Sequence, residues 1–98
     1  MLLAHAVTLA EARSYVAALA DNTRTFDASV EYERVLLQLD WIHNDDFPGI
    51  SPVLTERQET LFTVAEAAIE DLVDHGVDAL QVELVLDMLH IARAKDCP

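Results

Sequence analysis

Apolar residues recur at three- and four-residue intervals through most of the chain, which is the period of a helix rather than of a strand. Leu9, Ala12, Val16, Leu19 and Ala20 form one face of a first helix. Thr8-Leu9-Ala10-Glu11 supplies a capping box for its start, with the Thr8 hydroxyl accepting from one free N–H and Glu11 reaching back to another. Asp21-Asn22-Thr23 ends it, giving residues 8–21. A second helix is expected over 28–43, with Asp27 as its cap. Val30, Tyr32, Val35, Leu36, Leu37, Leu39, Trp41 and Ile42 make a wide apolar stripe on it, and Glu31, Arg34 and Gln38 lie on the wet side. Trp41 sits at helical spacing within that stripe and is expected in the core.

Pro48, Gly49 and Pro52 bar a continuous helix, so 43–55 is the one long loop. Its Phe47, Ile50, Val53 and Leu54 are apolar, and part of it should fold back over the core. A third helix follows over 56–75, started by a second capping box, Thr55 with Gln58. Leu61, Phe62, Ala65, Ala68, Ile69, Leu72 and Val73 form its buried face, and Gly76 stands where a left-handed residue closes a helix. Asp78 and Gln81 then start a fourth helix over 79–95, with Val77 and Val82 placed as a hydrophobic staple. The short connection makes the last two helices an antiparallel hairpin.

The fourth helix is apolar nearly all round: Leu80, Val82, Leu84, Val85, Leu86, Met88, Leu89, Ile91 and Ala92 leave only Glu83, Asp87 and His90 as a polar strip. Such a helix is either central to its domain or part of an interface. In a four-helix domain of 98 residues, enclosure by three neighbours is difficult to achieve, so a homodimer through 79–95 is a natural alternative. The fold expected is an all-α, bundle-like domain of four helices occupying 1–98 as a single unit.

Charge changes the picture more than composition does. The chain carries 18 Asp and Glu against 6 Lys and Arg, a formal net charge of −12. That argues against direct contact with nucleic acid or anionic membrane, both of which need a basic footprint. Nine of the twelve uncompensated charges lie between Thr23 and Gly76. Glu56, Glu59, Glu66 and Glu70 share one face of the third helix, Asp74 extends it and Asp71 stands beside it. Acids in a first turn are stabilising, but Glu70, Asp71 and Asp74 crowd the last turn, where the helix dipole disfavours anions by ~0.3–1 kcal/mol. Only His75 is placed to relieve them. An acidic face keeps an apolar protein soluble, and it also forms a ridge that fits a basic partner. Carboxylates one turn apart are ~5–6 Å from one another, near the spacing of phosphates along a strand. In physical type such a ridge is similar to those of immunity proteins, anti-defence inhibitors and DNA mimics.

Little else points to chemistry. Two Asp-x-x-His pairs, Asp40/His43 and Asp87/His90, are similar in spacing to the Glu-x-x-His pairs of di-iron bundles, with Glu11 and Glu66 available for the remaining positions. Both acids are the shorter Asp, however, and plain surface polarity accounts for them. His43-Asn44-Asp45-Asp46 before Phe-Pro-Gly reads as turn chemistry. No serine has a base partner at a telling spacing, and two glycines cannot build a phosphate loop. Met1–Val7 lacks a basic leader and Cys97 is the one cysteine, so a cytoplasmic location is expected.

The reading is therefore a non-enzymatic module without cofactor or bound metal that blocks a basic, nucleic-acid-binding protein. Its contact residues are expected to be Asp45, Asp46, Phe47, Glu59, Glu66, Glu70, Asp71 and Asp74, with Phe47 as an aromatic anchor ringed by acids. The alternatives are a homodimeric scaffold using 79–95 and a metal-binding bundle using the Asp-x-x-His pairs.

Overall fold

The computed structural model describes residues 3–43, 53 and 57–96. Helix α1 (Leu3–Asp21) begins well before the expected start at Thr8. Nothing in Leu3-Ala4-His5-Ala6-Val7 breaks a helix, so the N–H groups that Thr8 would cap are already used within it. The Thr8 hydroxyl instead lies 3.2 Å from His75 Nε2. Helix α2 (Phe26–Ile42) is capped by Thr25, not Asp27: Thr25 has extended backbone and its hydroxyl accepts from the Ala28 N–H at 3.1 Å. Asp27 falls in the first turn, where its charge still favours the dipole.

Helix α3 (Gln58–Asp71) starts after Arg57, which makes no side-chain cap. Thr55, Leu54 and Glu56 lie outside the described residues. The capping box expected from Thr55 and Gln58 therefore lies outside them too; the Gln58 Nε2 donates to Leu19 O at 3.1 Å and to Asp96 Oδ2 at 3.5 Å. After Asp71 the chain tightens into a 3₁₀ turn, Leu72–His75, and stops at Gly76 with φ of 93°. The N–H of Gly76 donates to Val73 O and that of Val77 to Leu72 O, both at 3.1 Å, closing the helix end in a Schellman motif as Gly76 promised. Helix α4 (Ala79–Asp96) is capped by Asp78, whose Oδ1 accepts from the Leu80 N–H at 2.9 Å. The reciprocal arm is not made, since Gln81 Oε1 has no hydrogen-bond partner among the described residues.

Contacts at the helix ends set the topology. The start of α1 meets the end of α2 through His5 and His43, and meets the residues after α3 through Thr8 and His75. At the other end, Asp96 on α4 accepts from the Arg24 N–H just before α2 and from Gln58 at the start of α3. Helices α1 and α4 thus run one way, and α2 and α3 the other. Around the bundle the order is α3, α1, α2, α4, every neighbour is antiparallel, and the parallel pairs sit on the diagonals. Because α2 and α3 run in the same direction, the connection from His43 to Arg57 joins opposite ends of the bundle. That requirement accounts for its length. Val53, within it, packs against the core as expected.

Helix α1 lies between α2 and α3 and buries all five residues of its expected face. Ala12 on α1 and Ala65 and Ala68 on α3 are buried at this closest pairing, where small side chains let two helices approach. Buried Arg13 reaches across to α2, its Nε 2.8 Å from Asp40 Oδ1. Helices α3 and α4 form the expected antiparallel hairpin, but this pair packs less extensively than α1 with α3 or α2 with α4.

Helix α4 buries Val82, Val85, Leu89, Ala92 and Asp96, a strict three-four seam. Leu80, Leu84 and Ile91 are left outside it. On α2, Tyr32, Val35 and Leu39 are buried while Leu37 and Trp41 are each 66% exposed. The core position expected for Trp41 is therefore wrong. The stripe on α2 was too wide for one flank, and among the described residues no helix lies over the side holding Leu37 and Trp41.

Asp96 is 2% exposed, and its carboxylate ties three helix ends together. Asp96→Ala should lower stability by about 1–3 kcal/mol, because the Arg24 N–H and the Gln58 amide lose a partly buried acceptor. Asp96→Asn, which keeps one acceptor oxygen, should cost less. Urea denaturation checks both, and a change within about 0.5 kcal/mol in the Ala variant would contradict the tie.

Candidate interaction surfaces

The acidic residues of α3 are only partly the ridge that their spacing implies. Glu59 and Glu70 are exposed on one side of the helix. Glu66 is on the same side but half-buried, and its Oε2 lies 2.6 Å from His90 Nε2 across the seam with α4. Asp71 is exposed beside the row, as expected. Asp74 is displaced from it, because each residue of a 3₁₀ turn advances ~120° rather than ~100°. The turn carries Asp74 off the Glu66–Glu70 line toward Asp71. His75 does not relieve these acids; its ring is turned onto α1, beside Thr8 and stacked on His5 at 5.6 Å. Asp45, Asp46 and Phe47 lie outside the described residues, as does Ile50.

The seam between α3 and α4 gives the ridge its surroundings. The His90 ring meets Phe62 edge-on at 5.2 Å, and the Arg93 guanidinium lies 4.3 Å above the same ring. Glu83 and Asp87, exposed on α4, follow the spacing that leads to His90 and extend the acidic surface across the seam. Among the described residues His90 on this flank of α4 is held by Glu66 and the Arg93 guanidinium lies on Phe62, so Glu59, Glu70, Glu83 and Asp87 face one guanidinium. The flank therefore carries unbalanced negative charge. Asp87, His90 and Arg93 share one side of α4 at helical spacing, which is the signal that was available in the sequence for this seam.

The Asp-x-x-His pairs do not converge. Asp40 is held by Arg13, His43 by His5, and His90 by Glu66; Glu11 is exposed. Among the described residues no group of three or more His, Cys, Asp or Glu side chains is arranged to hold a metal ion.

Sequence reasoning missed a different cluster, at the end of the bundle where α1 begins. His5, His43 and His75 come from three elements, and no local spacing links them. Placing the helix start at Thr8 also left His5 outside any element. The His43 Nδ1 lies 2.7 Å from Leu39 O, an acceptor only, so that nitrogen carries the proton. The His43 Nε2 lies 3.1 Å from His5 Nε2, so the two rings share one hydrogen bond through these nitrogens. An open cavity of about 410 Å³ lies beside the cluster, lined also by Trp41, Asp78 and Gln81.

No protein-family model matches the chain, and neither the curated proteins nor the solved structures contain a match. No helix among the described residues is long and apolar enough to cross a membrane.

Burial, with the nearby His43 and His75, holds the His5 pKa below its ordinary 6.5. The folded state therefore disfavours the extra proton that the unfolded chain accepts. The stability tied to neutral His5 is complete above pH 6.5 and is lost as pH falls from there through the depressed folded value. Thermal melts from pH 7.5 down to pH 5, on the order of one titration range, should show a decline that His5→Gln flattens. An equal decline in wild type and variant would remove His5 as its source.

Proposed function

We propose that the chain is a protein-binding module that works by occupancy rather than by chemistry. It engages a basic partner through the acidic flank of α3 and α4 and keeps nucleic acid out of that partner's groove. The observation that supports this is the excess of acid on the flank: Glu59, Glu70, Glu83 and Asp87 are exposed there, against the single guanidinium of Arg93 on the same flank of α4. Charge of this kind acts over roughly a Debye length, speeds encounter and selects against acidic partners. Glu66 belongs to the flank but also braces it, so it is a poor position at which to test binding alone. A cytoplasmic location is part of the proposal and accords with the one cysteine in the chain.

The test begins with capture from native-host lysate at low salt, elution along a salt gradient and identification by mass spectrometry. A basic nucleic-acid-binding protein should elute at moderate salt and be competed off by DNA or RNA. The double variant Glu59→Lys, Glu70→Lys should then weaken that complex by at least about tenfold with an unchanged helical circular dichroism spectrum. Unchanged affinity in the double variant would rule the flank out as the contact.

A further inference from the structure

From the opposite flank we infer that a second copy of the chain docks on the outer face of α2 and α4, forming a two-fold dimer. Leu37 and Trp41 on α2 and Leu80, Leu84 and Ile91 on α4 are between 47% and 74% exposed, with Met88 half-buried in the groove between them. These are not scattered residues. On α4 they occupy the flank of Lys95, which bonds Glu31 of α2 at 3.3 Å, and on α2 they line one groove with Met88. Exposed apolar residues gathered on one face, with an aromatic at the centre, mark an interaction site.

Charge identifies the occupant. In a chain of net charge −12, two copies can approach only where acids are few or neutralised. Among the described residues, Glu31 within this face is held by Lys95 at 3.3 Å and lies 3.7 Å from Arg34. Asp27, Glu33 and Asp87 are exposed at its borders, Glu33 one turn from Leu37, and the polar positions between the helices are Gln38 and Gln81. A strongly acidic protein thus confines the free carboxylates of this face to its edges, where Arg34 and Lys95 also lie.

The face is also complementary to itself. A two-fold axis along the groove lays α2 of each copy over α4 of the other, so that each contact occurs twice. Trp41 then faces Leu80 and Leu84 of the second copy, and Arg34 comes within reach of its Asp87 at the rim. The strip from Leu80 to Ile91 is ~16 Å long and two helices wide, on the order of 300–400 Å². A polar rim of Arg34, Gln38, Gln81 and Lys95 takes it toward the ~800 Å² per partner of a standard interface. The acidic row of α3 lies on the diagonal from α2, so this dimer leaves it free.

Sedimentation equilibrium or light scattering on the purified full chain tests the inference, read against the 10.9 kDa mass of one copy. Wild type should give about twice that mass at micromolar concentration, with the dimer holding or tightening as salt screens the repulsion between two copies of net charge −12. Leu84→Glu and, on the other helix, Leu37→Glu should each raise the dimer dissociation constant at least about tenfold and keep the helical spectrum, since both side chains are already at the surface. Buried Val82, by contrast, should unfold the chain when made polar, and half-buried Leu86 is packed against the core, so neither position is informative about the dimer. A wild type that stays monomeric overturns the inference, as does a dimer indifferent to both variants. A monomer whose Leu84→Glu form instead loses the basic partner would assign the face to that partner and likewise overturn it. Loss of partner binding in the α3 double variant, with the dimer intact, concerns the acidic flank alone.

Discussion

The rotational setting of α4 depends on a carboxylate at its last residue. Val82, Val85, Leu89 and Ala92 repeat at alternating intervals of three and four, and Asp96 continues the same seam. An acid at the negative end of a helix dipole, nearly excluded from water, is doubly unfavourable alone. Here the Arg24 N–H at 2.6 Å and the Gln58 amide at 3.5 Å supply the missing partners, each from a different segment. Turning α4 by one residue would expose Asp96, abandon both donors and unseat Val85 and Leu89. The seam is thus fixed at one end by polar satisfaction and along its length by apolar burial. What remains of the helix has no choice of direction, so Leu80, Leu84 and Ile91 face outward.

That setting combines with the topology to sort the surface. Each helix has two neighbours and one outer face, and the parallel helices occupy the diagonals. Helix α4 contributes Met88 and Lys95 to the side of α2 and His90 and Arg93 to the side of α3. One flank is therefore apolar with its acid neutralised, while the other holds the exposed carboxylates of α3 together with Glu83 and Asp87. Separation of this kind follows from two periodicities written on one helix. The core seam takes one side, and the remaining apolar and acidic residues divide the other.

The all-α fold and four helices were legible because burial dominates each of them. The expected faces of α1 and α3 are buried but for Val73, and Gly76 closes the helix end where its position implied. Helix starts were less legible: Asp78 caps α4 as its position implied, but α2 takes Thr25 rather than Asp27, α1 begins ahead of Thr8, and polar groups expected to act locally turn to distant partners. Thr8 has its nearest partner in His75, Gln58 in Leu19 and Asp96, and Asp96 in Arg24; none of these can be read from a local capping pattern. Trp41 was misplaced for a related reason. A stripe of eight apolar positions on a seventeen-residue helix does not reveal which edge lies over a neighbour and which over water. The row of acids was legible as a row, but the 2.6 Å contact with His90 that takes Glu66 out of it belongs to the fold.

The extent of self-association follows from the same separation. Net charge of −12 opposes every contact between copies, and the opposition grows with each copy added. A face whose free acids lie only at its edges, and that is complementary to itself, is used up when two copies meet across it. Further growth would have to pass through the acidic flank, where Glu59, Glu70 and Glu83 of one copy meet their equivalents in another. Like charges at contact distance cost several kcal/mol, more than a rim of polar contacts returns. The acidity that suits this protein to a basic partner would also be what stops its assembly at two.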